Sequence, residues 1–185
     1  MSRLQVFGEP GSLAPRLDTT ARGRITEALA RVGVRFEAWE ASQPVTAASE
    51  ESAIVEAYRG PIERLKAEGG YESVDVVRMR PDHPERAAMR AKFLSEHTHA
   101  EDEVRFFVDG SGLFCLHIDD GVYLVTCERG DLIALPAGTK HWFDMGPSPH
   151  FVAIRLFINP SGWVARFTGD AIADRFPKHE ACAPS

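Results

Sequence analysis

The stretch Glu96-His97-Thr98-His99-Ala100-Glu101-Asp102-Glu103-Val104-Arg105-Phe106-Phe107 sets two imidazoles two residues apart, with a carboxylate four residues after the second. Successive side chains of an extended strand point to opposite faces, so His97 and His99 share one face. A short turn after His99 brings Glu103 back to the same place. Three ligands of this type on one side of a first-row divalent ion leave coordination positions open for other molecules.

A second element lies downstream, Gly130-Asp131-Leu132-Ile133-Ala134-Leu135-Pro136-Ala137-Gly138-Thr139-Lys140-His141. Pro136 and Gly138 end one strand and turn the chain, which puts His141 at the start of the next. Around these elements run short segments with period-two alternation: Glu103–Val108, Leu113–Ile118, Val122–Cys127, Asp131–Leu135 and His150–Ile158. Asp109-Gly110, Asp119-Asp120-Gly121 and Arg129-Gly130 between them read as hairpin turns. Many short strands at regular spacing predict an antiparallel barrel or sandwich. Rolled into a barrel, the sheet brings His141 opposite the first pair and completes a set of His97, His99, Glu103 and His141. Three imidazoles and a carboxylate, with no thiolate, suit iron, nickel, manganese or cobalt as well as zinc.

Upstream, Met1–Phe7 reads as a short strand. Thr19 or Thr20 caps a helix carrying Ile25, Leu29 and Val32, which Gly33 stops. Phe36, Ala38 and Trp39 form a short apolar piece. Ser49 caps a second helix with Ile54, Tyr58, Ile62 and Leu65 on one face. Pro61 kinks or splits that helix, and Gly69-Gly70 closes it. Val74–Met79 is a strand and Pro84–Phe93 a short helix. The predicted fold is mainly β with peripheral helices, in one domain over residues 1–185. Residues 1–70 form a mostly helical leader, 71–178 an antiparallel β-barrel, and 179–185 a flexible tail, with the chain after Phe176 loosely ordered.

At 185 residues the chain supports one substantial core. A net charge of -6 argues against nucleic acid as a partner, since that needs a basic stripe. No apolar run approaches the roughly 18 residues of a membrane span, and Met1–Pro10 lacks the pattern of a signal peptide. Cys115, Cys127 and Cys182 form no Cys-x-x-Cys pair, so neither a disulfide framework nor a thiolate zinc site is expected. Cytoplasmic location is the default, as is a monomer. His83, His117, His150 and His179 read as ordinary core or surface residues.

The pattern His-x-His-x3-Glu-x6-Gly over His97–Gly110 and the pattern Gly-x5-Pro-x-Gly-x2-His over Gly130–His141 resemble the two motifs of the cupin superfamily. That resemblance implies a double-stranded β-helix, or jelly-roll, barrel. Ala91 stands where the first motif has a leading Gly, and Met145 where the second has a closing Asn; neither is a ligand position. Within cupins the chain is similar to the acireductone dioxygenases of methionine salvage. The similarity is carried by His97-Thr98-His99-x3-Glu103-Val104-Arg105-Phe106, by Gly138-Thr139-x-His141-Trp142-Phe143-Asp144, by Ile154-Arg155-Leu156-Phe157 and by Gly162-Trp163.

The resemblance implies one Fe(2+) or Ni(2+) per chain, held by His97, His99, Glu103 and His141. The implied substrates are acireductone (1,2-dihydroxy-3-keto-5-methylthiopentene) and O2. The Fe form makes 4-methylthio-2-oxobutanoate and formate; the Ni form makes 3-(methylthio)propanoate, formate and CO. A buried dianion needs positive charge nearby. Arg105 shares a strand face with Glu103, and Arg155 shares parity with Phe151, Ala153 and Phe157. By resemblance both point inward to bind substrate, Arg105 helping to generate or hold the dianion. Phe93, Phe107, Phe114, Phe143 and Ala153 match pocket-lining positions, and Trp163 closes the mouth. Glu96 and Asp102 are candidates for metal uptake or for relaying local shifts, against the plainer reading of solvated loop acids. Two other classes stay open: another metal-dependent cupin dioxygenase or isomerase, and a non-catalytic cupin that binds a small ligand.

Overall fold

The computed structural model describes residues 1–8, 14–159 and 164–180. Its centre is a long strand, β6 (Glu103–Ile118), that belongs to two sheets at once. The remaining strands are β1 (Arg3–Phe7), β2 (Leu17–Thr19), β3 (Arg35–Ala38), β4 (Ser73–Met79), β5 (His97–Thr98), β7 (Gly121–Glu128), β8 (Asp131–Leu135), β9 (Lys140–Asp144), β10 (Phe151–Phe157) and β11 (Arg166–Phe167). One sheet runs β11-β5-β9-β6-β7-β1-β2, and the other runs β4-β10-β6-β8-β3. All these pairings are antiparallel. This is the cupin architecture.

Asp109-Gly110 is not the hairpin turn that its sequence suggests. The strand continues through it, because Ala153 of β10 faces Phe107 while Val152 faces Asp109, leaving Val108 as an extra residue. Such a bulge bends a strand and shifts its side-chain parity. Gly110 sits at φ 67°, and a Cβ there would lie 1.9 Å from the His150 carbonyl oxygen, so backbone packing demands glycine. Phe107 before the bulge and Phe114 and Leu116 after it therefore all join the interior cluster. Arg129-Gly130 is likewise no hairpin: β7 and β8 lie in different sheets, and the turn carries the chain between them. The Arg129 and Gly130 amides donate to the Gly110 and Phe107 carbonyls, fastening this corner onto the bulge. Asp119-Asp120 is the true two-residue hairpin, with Ile118 opposite Gly121 and Asp119 at φ 53°.

Three apolar clusters follow from this parity. The interior holds Phe107, Phe114, Leu116, Ile133, Phe143 and Ala153. The outer face of the β10-β6-β8 sheet presents Val104, Phe106, Leu132 and Ile154 to two helices, α2 (Glu51–Ala57) and α3 (Arg59–Gly69). Ile54, Ile62 and Leu65 of those helices, with Tyr58 between them, are buried there, each aliphatic side chain worth about 1.5–3 kcal/mol. The outer face of the other sheet is closed by Ile172 and Phe176 against Cys115 and Trp142.

Helix ends depart from the sequence expectation by a residue or two. The first helix, α1, runs Arg22–Ala30, because Thr19 is used in β2 and its hydroxyl accepts from the Ala21 amide one turn earlier. Ser49 accepts from the Thr46 amide, so Glu50 occupies the cap position of α2. The break before α3 falls at Tyr58, which puts Pro61 in a first turn where its missing N–H is not needed. Gly70 ends α3 at φ 69°. A further helix, α4, spans Arg86–Phe93. Within residues 177–180 the His179 amide donates to Asp144 and the Lys178 amine to the Ala173 carbonyl. Residues 181–185, with Cys182, lie outside the described residues.

Candidate metal centre

β5 is a two-residue strand between β11 and β9, and its His97 stands directly opposite His141 of β9. His99 follows one residue after β5, and the chain then turns within three residues into β6, whose first residue is Glu103. Two backbone contacts fix this turn against the Pro-x-Gly loop. The Gly138 amide donates to the His99 carbonyl at 2.9 Å, and Asp102 Oδ1 accepts from the Ala137 amide at 2.9 Å. Both motifs are thereby stitched together within a few residues of the ligands.

One ring nitrogen from each of His97, His99 and His141 lies within 4.8 Å of the others. The ring centroids are 4.4 Å (His97–His141), 5.1 Å (His97–His99) and 5.3 Å (His99–His141) apart. His97 Nδ1 donates to the Ser95 carbonyl and His141 Nδ1 to the Thr139 carbonyl, each at 2.8 Å. A carbonyl accepts only, so these bonds place the proton on Nδ1 and leave the Nε2 lone pair for a metal. Glu103 Oε2 approaches His141 Nε2 at 2.9 Å and His99 Nε2 at 3.6 Å. Yet Glu103 Oε2 and His141 Nε2 are both buried without a hydrogen bond of adequate geometry. Orphaned buried acceptors are costly, and a shared cation satisfies them together.

Protonation states agree with that reading. Burial, then the neighbouring His141, holds His97 down to about 4. Burial likewise lowers His99. Burial works to raise the Glu103 carboxyl, but Arg105 and then His141 keep it well below the usual range. His97 and His99 are thus neutral and Glu103 ionised at neutral pH, while the Thr139 carbonyl engages His141 Nδ1 and leaves its Nε2 2.9 Å from Glu103. Divalent ions require these deprotonated donors, and the residues fit one such ion.

Arg105 is buried beside the cluster, with its Nε donating to Glu103 Oε1 at 2.6 Å. Its guanidinium carbon lies 5.0 Å from the ring centres of both Phe114 and Phe143, and its Nη1 has no hydrogen-bond partner. Arg155 of β10 stands directly opposite Arg105 and is held bidentately by Asp75 of β4, at 2.9 and 2.6 Å. Phe107, Phe114, Phe143 and Ala153 are all buried in the interior, and Phe93 packs edge-on to Phe143 at 6.4 Å. Trp163 lies outside the described residues. Asp102 is half-buried in the stitch described above.

Glu96 is not a solvated loop acid. It is 1% exposed, with Oε2 2.7 Å from His117 Nδ1 and Oε1 accepting from the Thr168 hydroxyl at 2.8 Å. His117, an ordinary residue by sequence, is its partner. Sequence reasoning also missed Asp75, whose position opposite Arg155 depends on the β4–β10 register, and Phe167, whose ring lies 5.8 Å from that of His97. Neither signal exists without the strand pairing.

Similarity to known proteins bears on the same site. An acireductone dioxygenase of Pseudomonas aeruginosa (strain UCBPP-PA14) is 59% identical over 177 residues, covering 96% of this chain and 98% of its own. Its namesake from Synechococcus sp. (strain CC9902) is 56% identical over 183 residues, with 96% and 98% covered. The solved acireductone dioxygenase of Bacillus anthracis, with a cadmium ion in its active centre, superposes with a TM-score of 0.79 at 27% identity, over 90% of this chain and 98% of that one. Residues 14–165 match the sequence model of the ARD/ARD' family, and with full-length relatives at this identity the chain belongs to that family.

Proposed function

We propose that this chain is a metal-dependent acireductone dioxygenase of methionine salvage, acting as a single cupin domain on acireductone and O2. The observation that carries the reading is the pairing of a buried cluster of three imidazoles and a carboxylate, with partnerless ligand atoms, with a buried guanidinium whose Nη1 lacks a partner too. A structural metal site has no need of a cation beside it. His97, His99, Glu103 and His141 are the ligands in this reading. A divalent ion held there supplies Lewis acidity, which lowers the pKa of an enediol.

The protein's part is electrostatic and steric. Arg105 is locked by its bond to Glu103 and by the faces of Phe114 and Phe143, which leaves Nη1 as a preorganised donor for an anionic substrate oxygen. Burial strengthens that bond, because no water competes for it. Arg155 adds a second positive charge from the neighbouring strand. Phe93, Phe107, Phe114, Phe143 and Ala153 form the apolar wall that takes the methylthio tail. Asp102, through the Ala137 amide, keeps the Pro-x-Gly loop in register with the ligand turn. Buried Glu96 steadies β5, adjacent to His97.

Fe(2+) and Ni(2+) are the ions of this reading, giving 4-methylthio-2-oxobutanoate and formate in one case and 3-(methylthio)propanoate, formate and CO in the other. A monomer in the cytoplasm belongs to the same reading; none of the described helices is long and apolar enough to cross a membrane. The test is reconstitution of metal-free protein with Fe(2+) or Ni(2+), followed by admission of O2 to anaerobic protein with acireductone. Consumption well above autoxidation, with the matching products, is expected. Consumption at the autoxidation rate with both metals defeats the reading.

A further inference from the structure

We infer that Asp75 is a positioning residue for substrate binding, holding Arg155 so that two guanidiniums can stand side by side over the site. This rests on the reading above, in which the pocket binds an anionic enediol. Four residues form one row across the inner face of four strands: Ile133 of β8, Arg105 of β6, Arg155 of β10 and Asp75 of β4. Arg105 and Arg155 are therefore direct cross-strand neighbours, the position at which like charges repel. The fold keeps them together by giving each its own carboxylate. Arg105 has Glu103, at 2.6 Å through Nε. Arg155 has Asp75, in a two-point bond through Nε and Nη2.

The two carboxylates are not equivalent. Glu103 is buried and belongs to the His cluster, so its charge is shared with whatever that cluster binds. Asp75 lies on β4, which pairs only with β10 among the described strands, and its side chain is 39% exposed. It is free of the His cluster, and its one described salt bridge is to Arg155. A bidentate carboxylate fixes the plane of a guanidinium as well as its place. That plane sets where the positive charge of Arg155 stands relative to Arg105, its cross-strand neighbour. Without Asp75, repulsion from Arg105 and the free rotamers of a long side chain move the charge off this position.

The experiment compares Asp75→Asn, Asp75→Glu and the parent protein after equal metal loading. Asn keeps the size and loses the charge and the second acceptor. For Asp75→Asn, KM for acireductone and its Kd under anaerobic conditions are expected to rise about tenfold, the scale of one charge-assisted hydrogen bond. Turnover at saturation should change by less than about twofold, with metal content unaltered, and Asp75→Glu should recover most of the affinity. KM and Kd equal to the parent's overturn the proposal. So does a fall in the active fraction at constant KM accompanied by a lower Tm, which marks a role in folding alone. A parent protein that consumes acireductone no faster than autoxidation removes the functional reading and this inference with it; an active parent beside an unaffected Asp75→Asn removes only the role of Asp75.

Discussion

Each half of β6 lies beside a buried carboxylate. Before the bulge, the strand delivers Glu103, a buried carboxylate with one oxygen that no hydrogen bond satisfies. After the bulge, Leu113 stands opposite Asp144, another buried carboxylate, whose oxygens accept from Arg90, from the Gly146 amide and from the His179 amide. The first half also sets two cations side by side, while the second inserts Phe114 and Leu116 into the interior. One carboxylate is saturated, and the other is left open. A fold built only for stability would close both, so the open one marks where binding takes over from packing.

The sharpest way to break this contrast is at the open end. His141→Ala removes the ligand that joins β9 to β5 and leaves Glu103 facing a void. Metal content after loading should drop from about one ion per chain to near zero, and acireductone turnover by a factor of about a thousand or more, on the scale that essential groups contribute. Elemental analysis and oxygen uptake measure the two; full metal content in the variant would place the ion elsewhere. Leu113→Ala, opposite Asp144, tests the packed end instead. It should lower unfolding stability by about 2–5 kcal/mol in chemical denaturation while leaving bound metal per folded chain unchanged. A smaller loss would mean that the surrounding packing collapses around the gap.

Asp144 sharpens the comparison through pH. Its burial tends to raise the carboxyl, but Arg90 and the Gly146 and His179 amides hold it below its ordinary value. A carboxylate depressed in the folded state contributes stability that is present above the unfolded value of about 3.9 and is lost as pH falls through the folded one. Asp144→Asn should therefore cost about 2 kcal/mol near pH 7. The gap between variant and parent should narrow below about pH 4. A difference that stays constant down to about pH 3 would show that the charge on Asp144 is not what stabilises the fold.

Much of this was legible in the sequence because its signals are local. His97 and His99 need only the two-residue period of a strand, and His141 needs only the Pro-x-Gly turn before it. The alternation from Glu103 to Ile158 gave the antiparallel barrel. What stayed hidden depends on register. Asp109-Gly110 carries hairpin chemistry, but its glycine serves a bulge, and only the pairing with β10 distinguishes the two. Glu96 looked like a loop acid because its partners, His117 and Thr168, are distant in sequence and meet it through β9–β6 and β11–β5 pairing. Asp75 was invisible for the same reason. The N-terminal helices were recognised by their apolar spacing, while their caps were displaced because Thr19 and Ser49 spend their hydroxyls on the preceding turns.

The smallest expected effect is also the most telling about the open end. Glu103 and Arg105 are both buried, and each needed desolvation to get there. Replacing a buried ion pair by apolar residues of similar volume is often neutral or stabilising, because attraction between the charges only offsets the loss of hydration. Metal-free Glu103→Leu/Arg105→Met protein should thus unfold within about 1 kcal/mol of the metal-free parent, or above it, although it retains no activity. Arg105→Met alone should cost more, since it leaves the Glu103 carboxylate buried beside the imidazoles without its cation. If the double variant were as unstable as the single one, the pair would be a structural element in its own right. Near-equality with the parent would instead mean that the chain keeps two desolvated charges in its interior for what they bind, since folding gains nothing from them.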